Sequence, residues 1–144
     1  MGIEVTSDID VACDPADAFA LIADMSRNPE WQQGMKSCVW TTDPPIGVGS
    51  TYDQEAGFLG RTITTSFRVE EFVEPERIRI VSYVSTFPLD VTRTVEATEA
   101  GCRVKALVKG EPGRVAMLFA PLMRLMVQRS VRGDYQRLKA LLEA

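Results

Sequence analysis

The 144-residue chain is 45% hydrophobic and 25% charged, an ordinary globular balance that argues against disorder. Its formal net charge of −4 excludes the Lys/Arg excess that a nucleic-acid surface needs, so no nucleic-acid partner is expected. There is no histidine, which removes Ser-His-Asp and Cys-His nucleophile systems, HExxH metal sites and any histidine general base.

Residues 1–144 read as one domain, long enough to bury roughly 70% of the surface of the unfolded chain and to hold one core with a modest pocket. Met1 to Val11 lacks both a basic start and a continuous apolar run, so no secretory signal is expected. Ile3, Val5, Ile9 and Val11 alternate with Glu4, Thr6, Asp8 and Asp10, the period-two pattern of a strand with one wet face. Asp14-Pro15-Ala16-Asp17 then opens a helix over about Asp14 to Asp24. Asp14 serves as cap, Pro15 stands where its missing N–H is not needed, and Asp17 faces the positive end of the helix dipole. Asn28-Pro29 resists helical continuation and predicts a second short helix or turn around Pro29 to Gly34.

Six strand-like segments follow, separated by turn signals. They are Met35 to Thr42, Thr51 to Phe58, the alternation Ile63-Thr65-Phe67-Val69, Arg77 to Val84, Phe87 to Val95, and Cys102 to Val108. The short connections predict an antiparallel meander. A last amphipathic helix is expected over about Pro112 to Leu142, kinked or broken at Pro121, with Val115, Leu118, Leu122, Leu125, Val131, Tyr135, Leu138 and Leu142 near one side. Its basic residues Arg124, Arg129, Arg132, Arg137 and Lys139 read as a solvated face. The most apolar stretch, Val115 to Val127, contains Pro121 and Arg124 and is too short to span a bilayer, so no transmembrane segment is expected. Cys13, Cys38 and Cys102 are odd in number and widely spaced, which suits small buried thiols in a reduced, cytoplasmic setting better than a disulfide framework or a zinc site.

Val11 to Phe19, followed by Asp24 to Trp31, resembles the opening of START-like (SRPBCC) helix-grip domains, and the polyketide cyclase/dehydrase branch is the nearest. The order strand, two short helices, six strands, long helix is similar along essentially the whole chain. The resemblance implies an α+β helix-grip fold: a curved antiparallel sheet of about seven strands around a long C-terminal helix, enclosing an apolar cavity. It further implies a hydrophobic ligand such as a lipid, sterol, quinone or polyketide, with some relatives acting as cyclases. Fold-level likeness sets only a starting point for function.

Strand parity selects the residues that face inward. Tyr52, Gln54 and Phe58 share one face, Thr65 and Phe67 another, and Arg93 lies on the face of Phe87, Leu89, Val91 and Val95. Arg93 has three readings: an anchor for a ligand carboxylate or enolate, an ion pair with Glu55 or Glu71, or a strand slip that leaves it in solvent. Gln54 and Thr65 either orient a ligand or satisfy one another. Trp31 either packs on the sheet or lines the entrance. Met117, Phe119, Met123 and Met126 suit an adaptable apolar pocket, ordinary core, or a lid or homodimer surface. For a cyclase, the acid–base group would come from Tyr52, Tyr83, Tyr135 or Glu55. Gly47-Val48-Gly49 is turn chemistry, and neither a cofactor nor a metal is expected.

Overall fold

A computed structural model describes residues 2–58, 60–111, 113 and 120–144. Seven strands, β1 (Ile3–Val11), β2 (Met35–Trp40), β3 (Thr51–Phe58), β4 (Arg61–Val73), β5 (Arg77–Val84), β6 (Leu89–Thr98) and β7 (Gly101–Gly110), form one sheet in the order β1-β7-β6-β5-β4-β3-β2. Every neighbouring pair is antiparallel. Helix α1 (Pro15–Ala23) and a 3₁₀ turn (Met25–Glu30) follow β1, and the long helix α2 (Ala120–Leu142) comes last. The sheet curls around α2, giving the α+β helix-grip fold.

Local chemistry accounts for these boundaries. Asp14 accepts a hydrogen bond from the Ala16 N–H at 3.0 Å, so α1 starts with the expected cap. The second helical piece lies earlier than Pro29 to Gly34, because Asp24 acts as a second cap, accepting from the Ser26 N–H at 3.1 Å. Pro29 falls inside that turn, and the Trp31 and Gln32 N–H groups close it on the Asn28 carbonyl at 3.1 and 2.9 Å. Gly101 (φ 151°) opens β7 where the Val11 carbonyl approaches, and a Cβ there would collide with that oxygen.

Helix α2 departs from expectation in two ways. Its buried stripe is Val131, Tyr135, Leu138 and Leu142, whereas Leu122 and Leu125 are 57% and 55% exposed. Leu122 stands nine residues before Val131, about half a turn out of phase at 3.6 residues per turn, so the two cannot share a face. Second, several basic residues are tethers. Arg124 donates to the Glu4 carbonyl at 3.3 Å, Lys139 to the Asp10 carbonyl at 2.6 Å, and Gln128 joins them by donating to the Thr6 carbonyl at 2.8 Å. All three oxygens lie on β1, an edge strand of the sheet. Arg129 and Arg132 are exposed, as expected. Val115, Leu118 and any break before Pro121 lie outside the described residues. No helix among the described residues is long and apolar enough to cross a membrane.

The interior divides along the strands. The packed core gathers Phe19 and Ile22 of α1, Trp31, Val69, Val95 and Val104 of the sheet side, and Leu138 of α2. At the other end of the same strands the sheet and α2 stand apart.

Candidate functional site

The site is a cavity of about 280 Å³ between the sheet and α2. The β3–β4 hairpin supplies Gln54, Ala56, Phe58, Ile63 and Thr65, and the far ends of β1, β6 and β7 supply Val5, Leu89 and Val108. Gln32 and Gln33 enter from the segment after the 3₁₀ turn, and Met35 from the start of β2. From α2 come Met123, Val127, Ser130 and Asp134, at spacings of four, three and four residues that keep them on one helix face. Phe58 meets Phe87, also in the lining, edge to face at 6.2 Å.

The boundary between core and hollow falls between two rungs of the β3–β4 ladder. Tyr52 opposes Phe67, and two residues along, on the same face, Gln54 opposes Thr65. The first rung is packed solid. Tyr52 and Phe67 stack with rings 5.2 Å apart, and Trp40 meets Tyr52 edge-on at 5.3 Å. The Tyr52 hydroxyl has no hydrogen-bond partner among the described residues, and burial pushes its pKa far up. The second rung faces the cavity, and no hydrogen bond joins Gln54 to Thr65 among the described residues.

Of the residues singled out from sequence, Gln54, Phe58, Thr65 and Met123 therefore come together around the cavity. Trp31, Tyr52, Phe67, Arg93 and Tyr135 are buried in the core instead. Met126 is 41% exposed on the outer side of α2, and Met117 and Phe119 lie outside the described residues. Trp31 takes its core role, 1% exposed and edge-on to Tyr135 at 5.0 Å. Burial pushes the Tyr135 hydroxyl up against the pull of nearby Arg93.

Arg93 follows none of its three readings fully. It is 3% exposed, so no slip carries it to solvent, and it does not line the cavity. Glu71 is engaged by Arg77 and Arg79 at 3.5 Å each, and Glu55 is exposed. The guanidinium instead donates to the Ile22 carbonyl at 2.8 Å and to the Asn28 side-chain oxygen at 3.2 Å, and it lies 4.9 Å from the centre of the Trp31 ring. Ile22 is in the last turn of α1, a helix end with no basic residue of its own. Arg93 thus meets the negative end of a helix dipole, an amide oxygen and an aromatic face in place of a carboxylate.

Asp134 is the polar residue that the sequence reading missed. It is 6% exposed and lines the cavity. Its Oδ1 accepts from the Gln33 N–H at 3.0 Å and from Arg137. Arg137 also donates to the Trp31 carbonyl at 3.0 Å, fixing the helix to the segment after the 3₁₀ turn. Burial pushes the Asp134 carboxyl above its ordinary value, opposed by the Gln33 N–H and the Arg137 and Arg93 guanidiniums. Its spacing from Met123 and Val127 was the available signal. Tyr83 is 46% exposed beneath Arg68, away from the lining. The Cys13 and Cys102 sulfurs approach to 4.0 Å, while Cys38 sits beside Asn28.

The sequence matches the family described as polyketide cyclase / dehydrase and lipid transport over residues 2–143. An uncharacterized protein of Mycobacterium tuberculosis is 27% identical over 139 residues, covering 86% of this chain and 77% of its own length. A START superfamily protein from Mycobacterium smegmatis is 14% identical and superposes with a TM-score of 0.83 over 99% of this chain and 98% of that one. The di-domain ARO/CYC StfQ from the steffimycin biosynthetic pathway is 15% identical, with a TM-score of 0.80 over 99% of this chain and 52% of that one. At such identities the structural likeness is one of fold.

Proposed function

Because the chain belongs to the polyketide cyclase/dehydrase and lipid transport family, we propose that it binds a hydrophobic small molecule in the cavity between sheet and α2. The observation that carries this reading is the cavity wall: Val5, Ala56, Ile63, Leu89 and Val127 present apolar surface, with a few polar groups at one side. Volume narrows the ligand. At about 280 Å³ the space is at the low end for drug-sized molecules, which favours a medium-length lipid or a single-ring compound over a sterol or a long polyketide. A thermal-shift screen with lipids, quinones, sterols and aromatic polyketides tests the reading. Stabilisation by the smaller apolar classes is expected, and Ala56→Phe, which fills the space, should abolish it. No stabilisation by any class would remove the proposal.

A second reading is an aromatase/cyclase or dehydratase acting in the same cavity, favoured by the Asp134 carboxylate in its wall. A buried carboxylate with a raised pKa suits proton transfer at an enolisable carbon. Turnover of a poly-β-keto thioester that is lost in Asp134→Asn supports this reading, and no turnover by the native protein excludes it. We also read residues 1–144 as one domain and place it in the cytoplasm, where its three thiols stay reduced. Leu122, Leu125 and Met126 form an exposed apolar stripe suited to a homodimer contact, which light scattering after size exclusion would reveal.

A further inference from the structure

We propose that Asp134 is the polar anchor of the cavity and that the ligand is an uncharged apolar molecule ending in a hydrogen-bond donor, a hydroxyl group. The inference rests on the cavity being a ligand site, and it adds the chemistry of one end of the ligand.

The argument starts from the two oxygens of one carboxylate. Both hydrogen bonds that Asp134 accepts among the described residues, from the Gln33 N–H and from Arg137, end on Oδ1. Oδ2 accepts none among the described residues, yet it is not one of the fully covered atoms without a partner. The whole side chain, Oδ2 included, is only 9% exposed, and Asp134 lines the cavity, so we place the free side of Oδ2 there. A carboxylate oxygen is a pure acceptor and is satisfied only by a donor. Ser130, one turn earlier on the same helix face, also lines the cavity and can accept from or donate to the same group.

Charge selects among donors and against acceptors. Arg137 already pairs with Asp134, and the buried Arg93 guanidinium acts on the same carboxyl, so this end of the cavity offers no unmatched negative charge. An ammonium ligand would bring a charge that Arg137 has already matched, and burying it would carry a desolvation cost with no free counterion. A fatty-acid carboxylate would place a second anion directly against Oδ2, and a ketone or ester oxygen would meet it acceptor to acceptor. A hydroxyl avoids all three difficulties. The opposite wall is apolar, with Ile63, Phe87 and Val108 there to take the hydrocarbon part.

Isothermal titration calorimetry with decanol, methyl decanoate and decanoate separates the possibilities, since the three share a chain and differ at one end. Native protein is expected to bind decanol about tenfold or more tighter than methyl decanoate, the worth of one hydrogen bond to a charged acceptor, and to bind decanoate weakest. In Asp134→Asn the amide oxygen can keep the Gln33 N–H while the amide nitrogen replaces Oδ2, turning an acceptor into a donor. The preference for decanol should then collapse, and decanoate should gain. Equal binding of decanol and methyl decanoate by the native protein overturns the anchor and leaves the cavity reading standing. An unchanged preference in Asp134→Asn does the same, and because the native ranking is measured alone, a variant that fails to fold does not rescue the idea. Absence of binding by all three overturns the cavity reading and the anchor together.

Discussion

Replacing Arg93 probes how the α1 region is held to the sheet. Arg93→Ala removes two hydrogen bonds from a charged donor, to the Ile22 carbonyl and the Asn28 side chain, together with the cation–aromatic contact to Trp31. Hydrogen bonds of this kind contribute about 1.5–3 kcal/mol each, and a desolvated cation–π contact about 2 kcal/mol. Against them stands the relief of no longer burying a cation without a carboxylate. With the cation–aromatic term and that relief set against each other, the two hydrogen bonds leave a loss of about 3–5 kcal/mol. For a chain of this size that lowers the thermal midpoint by roughly 10 °C. Arg93→Met keeps most of the volume and sheds the charge, so it should lose less, leaving mainly the Ile22 and Asn28 oxygens without a donor. Urea unfolding followed by tryptophan fluorescence is the assay, because the Trp31 ring lies under the guanidinium and its emission reports the same contact. If Arg93→Ala unfolds within about 1 kcal/mol of the native protein and loses ligand binding instead, the assignment of Arg93 to holding α1 against the sheet is wrong.

Three further predictions follow from the charged and sulfur groups. The raised Asp134 carboxyl means that the folded state holds that proton more tightly than the unfolded chain. Native protein should therefore lose stability relative to Asp134→Asn as pH rises from about 4 through the raised value, and a native protein that gains stability relative to the variant over that range would contradict the assignment. Asp90 has the opposite sign: its hydrogen bond from Arg79 lowers its carboxyl, giving stability above about pH 4 that is lost as acid protonates it. Both partners remain about one-third exposed, so Arg79→Ala should cost about 1 kcal/mol or less at neutral pH and nothing measurable near pH 2, by urea titration. Burial pushes the Cys38 and Cys102 thiols up to about 11, so iodoacetamide at pH 8 should label half-buried Cys13 first and the other two only on unfolding. Mass spectrometry showing Cys102 labelled as fast as a free thiol would refute this.

Strand parity made the inward faces legible: Tyr52, Gln54, Thr65, Phe67 and Arg93 all point inward, as the period-two pattern requires. Parity is silent on depth along a strand. Whether a rung meets packed side chains, as Tyr52 and Phe67 do, or a hollow, as Gln54 and Thr65 do, depends on what α1 and α2 place opposite it. The partners of Arg93 were hidden for a related reason, since a backbone carbonyl 71 residues away carries no side-chain signature. On α2 the error was one of phase. Leucines drew attention to a stripe containing Leu122 and Leu125, whereas extending the Val131-Tyr135-Leu138 register backward would have exposed the mismatch. An acidic residue in a basic, amphipathic helix reads as surface, which masks Asp134 in the sequence.

The bonds from Arg124, Gln128 and Lys139 to the Glu4, Thr6 and Asp10 carbonyls have a bearing on self-association. Those oxygens are the ones an incoming strand would otherwise recruit, and the helix keeps them occupied. With three carbonyls taken, edge-to-edge pairing is hindered on that flank, and the six-residue β2 is the other edge of the sheet. Shearing the helix from β1 would uncover that row of acceptors and leave a template for aggregation.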